Sequence, residues 1–288
     1  MPRILTGTCS WTDPALVRSG WYPPGRKDPE GRLRYYAEHF PVVEVDASYY
    51  ALPSERNSLL WVERTPPGFV FDVKAFSLLT GHPTRTEALP GLPADGADPA
   101  VLDEVWARFA AGIEPLRAAG RLGAVLFQFP PWFRPGVRAE AFLEACAVRT
   151  AGWPVSVEFR HPSWWQERHR EHTAMLLRAH GFAAVAVDMA PDLPLSVPPV
   201  TPVTSSRLSV IRFHGRSASW GRGSKEERFR YDYARAELAE WTPRLRALAA
   251  EADEVHVLFN NCCGAAAVRA AETMTELLSP RSSPSSPR

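Results

Sequence analysis

Residues 154–161 read PVSVEFRH and alternate apolar with polar side chains. Side chains along a β-strand point to opposite faces in turn. Ser156, Glu158 and Arg160 therefore share one face, and the valines and phenylalanine between them share the other. The pattern predicts a strand whose apolar face packs beneath helices and whose polar face points to a place where charged groups find partners.

Similar runs, rich in β-branched and aromatic residues, recur along the whole chain, and each leads to a helical stretch or a long loop. The eight runs are Ile4–Trp11, Val42–Tyr50, Phe69–Phe76, Leu122–Pro130, Pro154–His161, Ala183–Met189, Leu208–Gly215 and Glu254–Asn261. Helical patterns are clearest at Pro53–Arg64, Pro99–Ala119, Pro135–Thr150, Ser163–His180, Tyr233–Glu251 and Ala265–Leu278. Eight strands joined by long crossovers predict a parallel sheet that closes into a single (β/α)₈ TIM-type barrel of the α/β class.

An open, doubly wound sheet is the alternative fold. The chain has no Gly-x-Gly-x-x-Gly after its first strand and no Gly-x-x-x-x-Gly-Lys-[Ser/Thr], which are the usual reasons to prefer that fold. We expect one barrel domain over residues 3–278, an irregular loop at 77–98 after strand 3, and a proline-rich connection at 191–206 between strands 6 and 7. Residues 279–288 contain only Ser, Pro and Arg and are predicted to be a disordered tail.

Composition narrows the function classes. The chain has 288 residues, and 33 Lys+Arg against 32 Asp+Glu give a formal net charge of +1, so there is no bulk electrostatic drive towards nucleic acid or a membrane surface. No apolar run approaches the roughly 20 residues needed to span a bilayer, and the start lacks a signal-peptide core. Four cysteines without a Cys-x-x-Cys pair favour reduced thiols. We expect a soluble, cytoplasmic protein with no membrane partner.

Polar residues occupy one phase of every predicted strand. They are Thr6, Thr8 and Ser10; Glu44, Asp46 and Ser48; Asp72 and Lys74; Gln128; Ser156, Glu158 and Arg160; Asp188; Arg212 and His214; and His256 and Asn260. In a barrel covered by helices this phase is expected to point into the lumen. Such residues could form a self-satisfied ion-pair network. Five of them lie near the carboxyl ends of their strands, where barrel active sites lie: Lys74, Arg160, Asp188, His214 and Asn260.

This set favours an enzyme that uses acid/base chemistry, of the hydrolase, lyase or isomerase type, on a small anionic or polyhydroxylated substrate at the C-terminal mouth. The predicted catalytic residues are His214, Glu158 and Asp188, because neighbouring carboxylates and a fixed cation can separate an acid from a base. His214 is the first choice for proton transfer, since imidazole titrates near neutral pH. The predicted substrate-binding residues are Lys74, Arg160, Arg212, Gln128, Asn260, Asp46, Tyr49, Trp164 and Tyr231.

Two alternatives stay open. A non-catalytic module for nucleic acid or phosphorylated ligands would use these arginines with Arg216 and the basic, aromatic stretch that runs from 220 to 233, although nucleic acid is not favoured as the partner. A hydrolase or isomerase that depends on a divalent metal would use the carboxylates and the two histidines, but no tight ligand spacing occurs, so no cofactor is predicted. An open pocket lined by the strand-end residues would favour the enzyme, whereas mutual pairing would favour the binding module.

The segments also resemble a known family. The stretches that carry the likeness are GTCSW at 7–11, GWYP at 20–23, VEVDASYY at 43–50, FQFPP at 127–131, VEFRHPSW at 157–164, RFHGR at 212–216, YDY at 231–233 and FNN at 259–261. In this order, they resemble the YecE-like family, also called domain of unknown function 72. The resemblance implies a TIM-type barrel over about residues 4–278 and no particular activity. The family usually carries Asn where Asp46 stands.

Overall fold

A closed barrel forms the centre of the molecule. The computed structural model describes residues 3–89, 91, 98–219, 227, 230–261 and 263–279. The strands are β1 (Arg3–Thr8), β2 (Val42–Val45), β3 (Val70–Lys74), β4 (Leu122–Phe129), β5 (Val155–Phe159), β6 (Ala183–Met189), β7 (Leu208–Gly215) and β8 (Glu254–Phe259). Each pairs in parallel with the next, and β8 pairs with β1. The predicted (β/α)₈ barrel is confirmed.

Helices surround the barrel. In the described ranges they are α1 (Pro14–Arg18), α2 (Pro29–His39), α3 (Glu55–Glu63), α4 (Pro99–Ala118), α5 (Val137–Arg149), α6 (Glu167–Ala179), α7 (Arg235–Ala239), α8 (Thr242–Glu251) and α9 (Ala266–Leu278). Several begin with proline after an acidic cap, as α2 does, where the Asp28 carboxylate accepts the Gly31 N–H at 2.9 Å. The helix predicted over 233–251 is divided into α7 and α8.

The second strand is shorter than its sequence pattern predicts. β2 ends at Val45, and Asp46–Tyr49 form a 3₁₀ helix. The Ser48 hydroxyl lies 2.6 Å from the carbonyl oxygens of Val45 and Lys74 and so favours the turn over continued strand pairing. Asp46 therefore lies above the barrel rim instead of inside the sheet.

The irregular connections lie where they are predicted. The loop after β3 contains short 3₁₀ helices at Ser77–Thr80 and Thr86–Ala88. Residues 190–207, all of them described, contain no helix or strand between β6 and β7. The predicted tail beyond residue 279, and most of the basic stretch at 220–229, lie outside the described residues.

Strand register shows which side chains enter the lumen. Gln128 pairs with Glu158 and Val187 with Arg212, so these positions share the inner face. On β6, Asp188 pairs with the outward Phe213, so the prediction that Asp188 points into the lumen is wrong. The same holds on β1, where Thr8 pairs with the outward Phe259 and its hydroxyl contacts Tyr36 of α2 at 3.0 Å.

The amino-terminal end of the lumen holds an ion pair. His256 Nδ1 lies 2.9 Å from Asp72 Oδ2, and both side chains are buried. Burial alone would lower the pKa of His256, but Asp72 and Glu254 outweigh it and raise the pKa to about 9. His256 is therefore a cation at neutral pH. This pair is the structural kind of network that the sequence left as an alternative.

Candidate functional site

Arg212 joins two carboxylates in the middle of the barrel. Its Nε and Nη2 donate to Glu44 at 2.9 and 2.6 Å, and its Nη1 donates to Glu158 at 2.6 Å. All three side chains are fully buried. A planar guanidinium suits this arrangement, because it can donate to two carboxylates from fixed directions.

The other carboxylate oxygen of Glu158, Oε1, contacts three side chains of the site. Glu158 Oε1 lies 2.9 Å from Gln128 Nε2, 2.9 Å from Arg160 Nη1 and 3.0 Å from His214 Nε2. Gln128 comes from β4, Arg160 follows β5 and His214 is the last residue but one of β7. The barrel thus brings together side chains that lie up to 86 residues apart in the sequence.

Three groups surround the ring nitrogens of His214. Asn260 Nδ2 lies 3.1 Å from Nδ1. At Nε2, the Glu158 carboxylate at 3.0 Å can only accept and Arg160 Nη1 at 2.9 Å can only donate, so these two contacts favour opposite tautomers. A proton on Nε2 pairs with Glu158, whereas a lone pair on Nε2 accepts from Arg160. Asn260, beside Nδ1, is partly exposed at the mouth.

Burial and neighbouring charges shift the pKa values of Glu158, Glu44 and His214. Burial would raise the pKa of Glu158, but Arg212, His214 and Arg160 outweigh it and hold the pKa well below its usual range. Burial raises the pKa of Glu44, and Arg212 offsets this only in part. Burial, assisted by Arg160, lowers the pKa of His214 to about 4 against the opposing effect of Glu158. In the free protein His214 is therefore neutral at pH 7, which differs from the expected titration near neutral pH.

Lys74 lies at the rim beside β2. Its Nζ donates to Asp46 Oδ1 at 2.8 Å and lies 4.6 Å from the centre of the Tyr49 ring. The side chain of Asp46 is 27% exposed, against 9% for Lys74. Lys74 and Asp46 thus form an ion pair, and both predicted ligand contacts lie next to the opening.

Asp188 has another role from the one predicted. Its carboxylate accepts from Arg216 Nη2 at 2.7 Å, from the Tyr233 hydroxyl at 2.6 Å and from the Trp241 indole at 2.7 Å. These donors belong to the segment after β7 and to the outer layer. Asp188 therefore fixes that segment to the outside of the barrel, and it does not face Glu158.

Two predicted ligand contacts are occupied by the protein itself. The Trp164 ring stacks on Phe159, at 4.0 Å, and lies 5.7 Å from Phe133, whose carbonyl oxygen accepts from its indole. The ring is fully buried, so it offers no accessible face to a ligand. Tyr231 is half-buried and donates to Glu237, next to the turn at Gly215.

Only some of the predicted site residues are accessible at the mouth of the barrel. Glu158, His214 and Arg212 are buried and mutually paired. Gln128, Arg160, Asn260 and Asp46 are partly exposed above them. In the described residues no three His, Cys, Asp or Glu side chains are grouped as metal ligands. The described helices include none that is both long and apolar enough to cross a bilayer.

An aromatic row that the sequence patterns do not predict lies along the rim. Tyr50 is next to Tyr49 (ring centres 5.0 Å apart), Tyr49 to His82 (5.2 Å) and His82 to Trp132 (5.8 Å). Trp132 is 58% exposed and directly follows the 127–131 stretch at the end of β4. A tryptophan at the carboxyl end of a predicted barrel strand is the signal that could have revealed it.

The whole-chain comparison settles the family. A family model described as "Protein of unknown function DUF72" matches residues 5–288. The chain belongs to the DUF72 family. The resemblance noted from the motifs is thereby confirmed.

Curated relatives of this DUF72 chain carry equally general names. The UPF0759 protein YunF of Bacillus subtilis is 34% identical over 281 residues, which cover 96% of this chain and 94% of YunF. The UPF0759 protein YecE of Escherichia coli K12 is 28% identical over 189 residues, covering 65% of this chain and 60% of YecE.

Solved DUF72 structures share the fold. A DUF72 protein (EF0366) from Enterococcus faecalis V583 superposes with a TM-score of 0.81 at 27% identity, covering 96% of this chain and 98% of that one. A DUF72 protein (TM1631) from Thermotoga maritima MSB8 gives 0.80 at 31% identity, covering 96% and 99%. These likenesses establish the barrel for the DUF72 chain and leave its chemistry to be argued from the site.

Proposed function

We propose that this protein is an enzyme that performs acid/base chemistry on a small anionic or polyhydroxylated substrate at the carboxyl end of the barrel. The observation that carries the proposal is the contact of Arg160 Nη1 with both Glu158 Oε1 and His214 Nε2, each at 2.9 Å. A partly exposed cation thus touches a buried carboxylate–imidazole pair.

The pair has the arrangement of an oriented general base. The proposal takes the tautomer with the proton on Nε2, in which His214 donates to Glu158 and Nδ1 is the basic nitrogen. In that state Arg160 Nη1, which can only donate, must turn from Nε2 towards the bound anion, and Glu158 would stabilise the imidazolium. Asn260 contacts Nδ1 in the free protein, so a substrate would have to take that position. His214 then takes the proton, and Glu158 remains ionised throughout.

Arg160 couples substrate binding to basicity. Its positive charge is one of the causes that keep the pKa of His214 low. An anionic group bound to Arg160 compensates this charge, so the pKa of His214 rises towards neutral pH only when substrate is present. A base that is weak in the free protein becomes effective in the complex.

Histidine NMR titration tests this coupling. Arg160→Gln should raise the pKa of His214 from about 4. Inorganic phosphate should raise it in the unmodified protein but not in the variant. The spectrum of His214→Gln assigns the signal, and Arg26→Gln, which changes a surface pair with Glu38, is the matched control. An unchanged His214 pKa in both experiments contradicts the proposal.

The second candidate is a non-catalytic module for phosphorylated ligands. It is favoured by the mutual pairing and burial of Glu44, Glu158 and Arg212, which resemble a structural network. Phosphate that binds through Arg160 and leaves the His214 titration unchanged would select this candidate. Nucleic acid as the ligand would show binding that weakens steeply with added salt.

A further inference from the structure

A cleft opens beside the barrel mouth where β1 and β2 separate. These strands share only two register pairs, Gly7↔Val42 and Thr8↔Val43, whereas β1 and β8 share six. The pairing of β1 with β2 ends at Thr8 and Val43. Beyond this point a cavity of about 260 Å³ lies between these two segments and the helices α2 and α3. This is near the lower limit for small-molecule pockets and suits a ligand with a single ring.

The polar lining offers both donors and acceptors. Ser10, Thr12 and Asn57 line the cleft with groups that can each donate and accept, Asp46 with a carboxylate and Arg64 with a guanidinium. Glu44 also lines the cleft, with a second carboxylate. Each charge of the lining already has a partner: Glu44 pairs with Arg212, Asp46 with Lys74 and Arg64 with Glu30. Such a set matches hydroxyl groups, because every hydroxyl is itself a donor and an acceptor.

The apolar lining supplies walls for a ring. Trp11 and Trp61 line the cleft with their ring centres 5.6 Å apart, and Leu33 and Leu60 lie beside them. Trp61 stacks on Phe71 of β3, which holds its indole in place. Rigid aromatic walls beside hydrogen-bonding groups suit a ligand with apolar C–H faces and a polar edge.

Asp46 connects the cleft to the mouth. It lines the cleft, and its Oδ1 lies 2.8 Å from Lys74 Nζ at the rim. We propose that the cleft binds a hydroxylated ring whose single anionic group lies in the neighbouring mouth, so that the substrate class is a monocyclic polyol bearing one phosphate or carboxylate. This inference rests on the proposed function for the anionic end and extends it by assigning the ring.

Three probes with related chemistry test the inference by calorimetry. Glucose 6-phosphate should bind about tenfold or more tightly than inorganic phosphate, since its hydroxyl groups add hydrogen bonds to the cleft. Phenyl phosphate, which has a ring without hydroxyls, should bind less tightly than glucose 6-phosphate. Phenyl phosphate as the tighter of the two ring ligands would overturn the assignment of a hydroxylated ring.

Variants separate this inference from the proposed function. Asn57→Leu removes one amide and fills part of the cleft, and it should remove the gain of glucose 6-phosphate while inorganic phosphate binds as before. Leu59→Ala, on an exposed position of the same helix, is the control and should change neither. Arg160→Gln should weaken all three probes.

The outcomes point in different directions. Asn57→Leu that leaves the glucose 6-phosphate gain intact overturns the cleft assignment alone. Inorganic phosphate that binds equally to the unmodified protein and Arg160→Gln overturns the proposed anion site alone. Indole N–H signals of Trp11 and Trp61, assigned with Trp→Phe variants, should shift with glucose 6-phosphate and stay unchanged with inorganic phosphate.

Discussion

Arg212 and Glu158 face each other across the lumen, with 2.6 Å between Nη1 and Oε2. Glu44 holds the opposite edge of the same guanidinium. The three side chains connect β2, β5 and β7, so this ion pair network bridges strands that are not neighbours in the sheet.

Glu158→Gln should strongly destabilise the fold. The change keeps the shape but removes the carboxylate charge that Arg212 and Arg160 share, so that Glu44 alone balances the buried Arg212, which costs about 3–5 kcal/mol. Urea unfolding measures the free energy of unfolding. Glu104→Gln, in an exposed pair with Arg108, is the control and should cost less than about 1 kcal/mol. Equal effects of Glu158→Gln and Glu104→Gln on the free energy of unfolding would contradict a stabilising role of the network.

Stability should fall as the pH rises from 6.5 to about 9 because of His256. Its folded pKa of about 9 exceeds the ordinary value of 6.5, so the folded state binds the extra proton. The contribution is complete below pH 6.5 and is lost as the pH passes through 9, and it amounts to about 3 kcal/mol. His256→Gln should flatten this part of the pH profile in urea unfolding. A profile with the same slope in both proteins would rule out the assignment.

Gly123→Ala should disturb the same end of the barrel. A Cβ at this position would lie 2.2 Å from Val70 Cγ1, 2.5 Å from Asp72 Oδ1 and 2.8 Å from His256 Cε1. Overpacking of this kind costs about 1–3 kcal/mol. Val70→Ala in the same protein should recover only part of the loss, because the other two contacts remain. Thermal unfolding of both variants gives the measurement, and full recovery in the double variant would be the contrary result.

Asp188→Asn should loosen the segment after β7 and leave the mouth intact. The amide cannot accept equally from Arg216, Tyr233 and Trp241, so amide hydrogens of α7 should exchange faster. Phosphate binding should persist. Asp192→Asn, at an exposed position in the next loop, is the control. Loss of phosphate binding with unchanged hydrogen exchange would instead indicate that Asp188 belongs to the binding site at the mouth.

Sequence patterns predict the fold well and the direction of only some polar side chains. On β5 the alternation is sharp, and Glu158 and Arg160 share a face as it predicts. On β6 the run AAVAVDM is apolar in both phases, and its single carboxylate carries no information about direction. The partners of Arg212 are likewise beyond pattern reasoning, because Glu44 lies 168 residues away and only barrel closure brings it near. The rim aromatics depend on loop conformation, which periodicity does not describe.

The short pairing of β1 with β2 also makes this junction one of the two weakest junctions of the barrel wall, since β5 and β6 likewise share only two register pairs. β1 shares six register pairs with β8 and only two with β2. New chain ends made by circular permutation between β1 and β2 would therefore sacrifice few interstrand hydrogen bonds, and β1 would stay joined to β8 as the final strand of the rearranged protein.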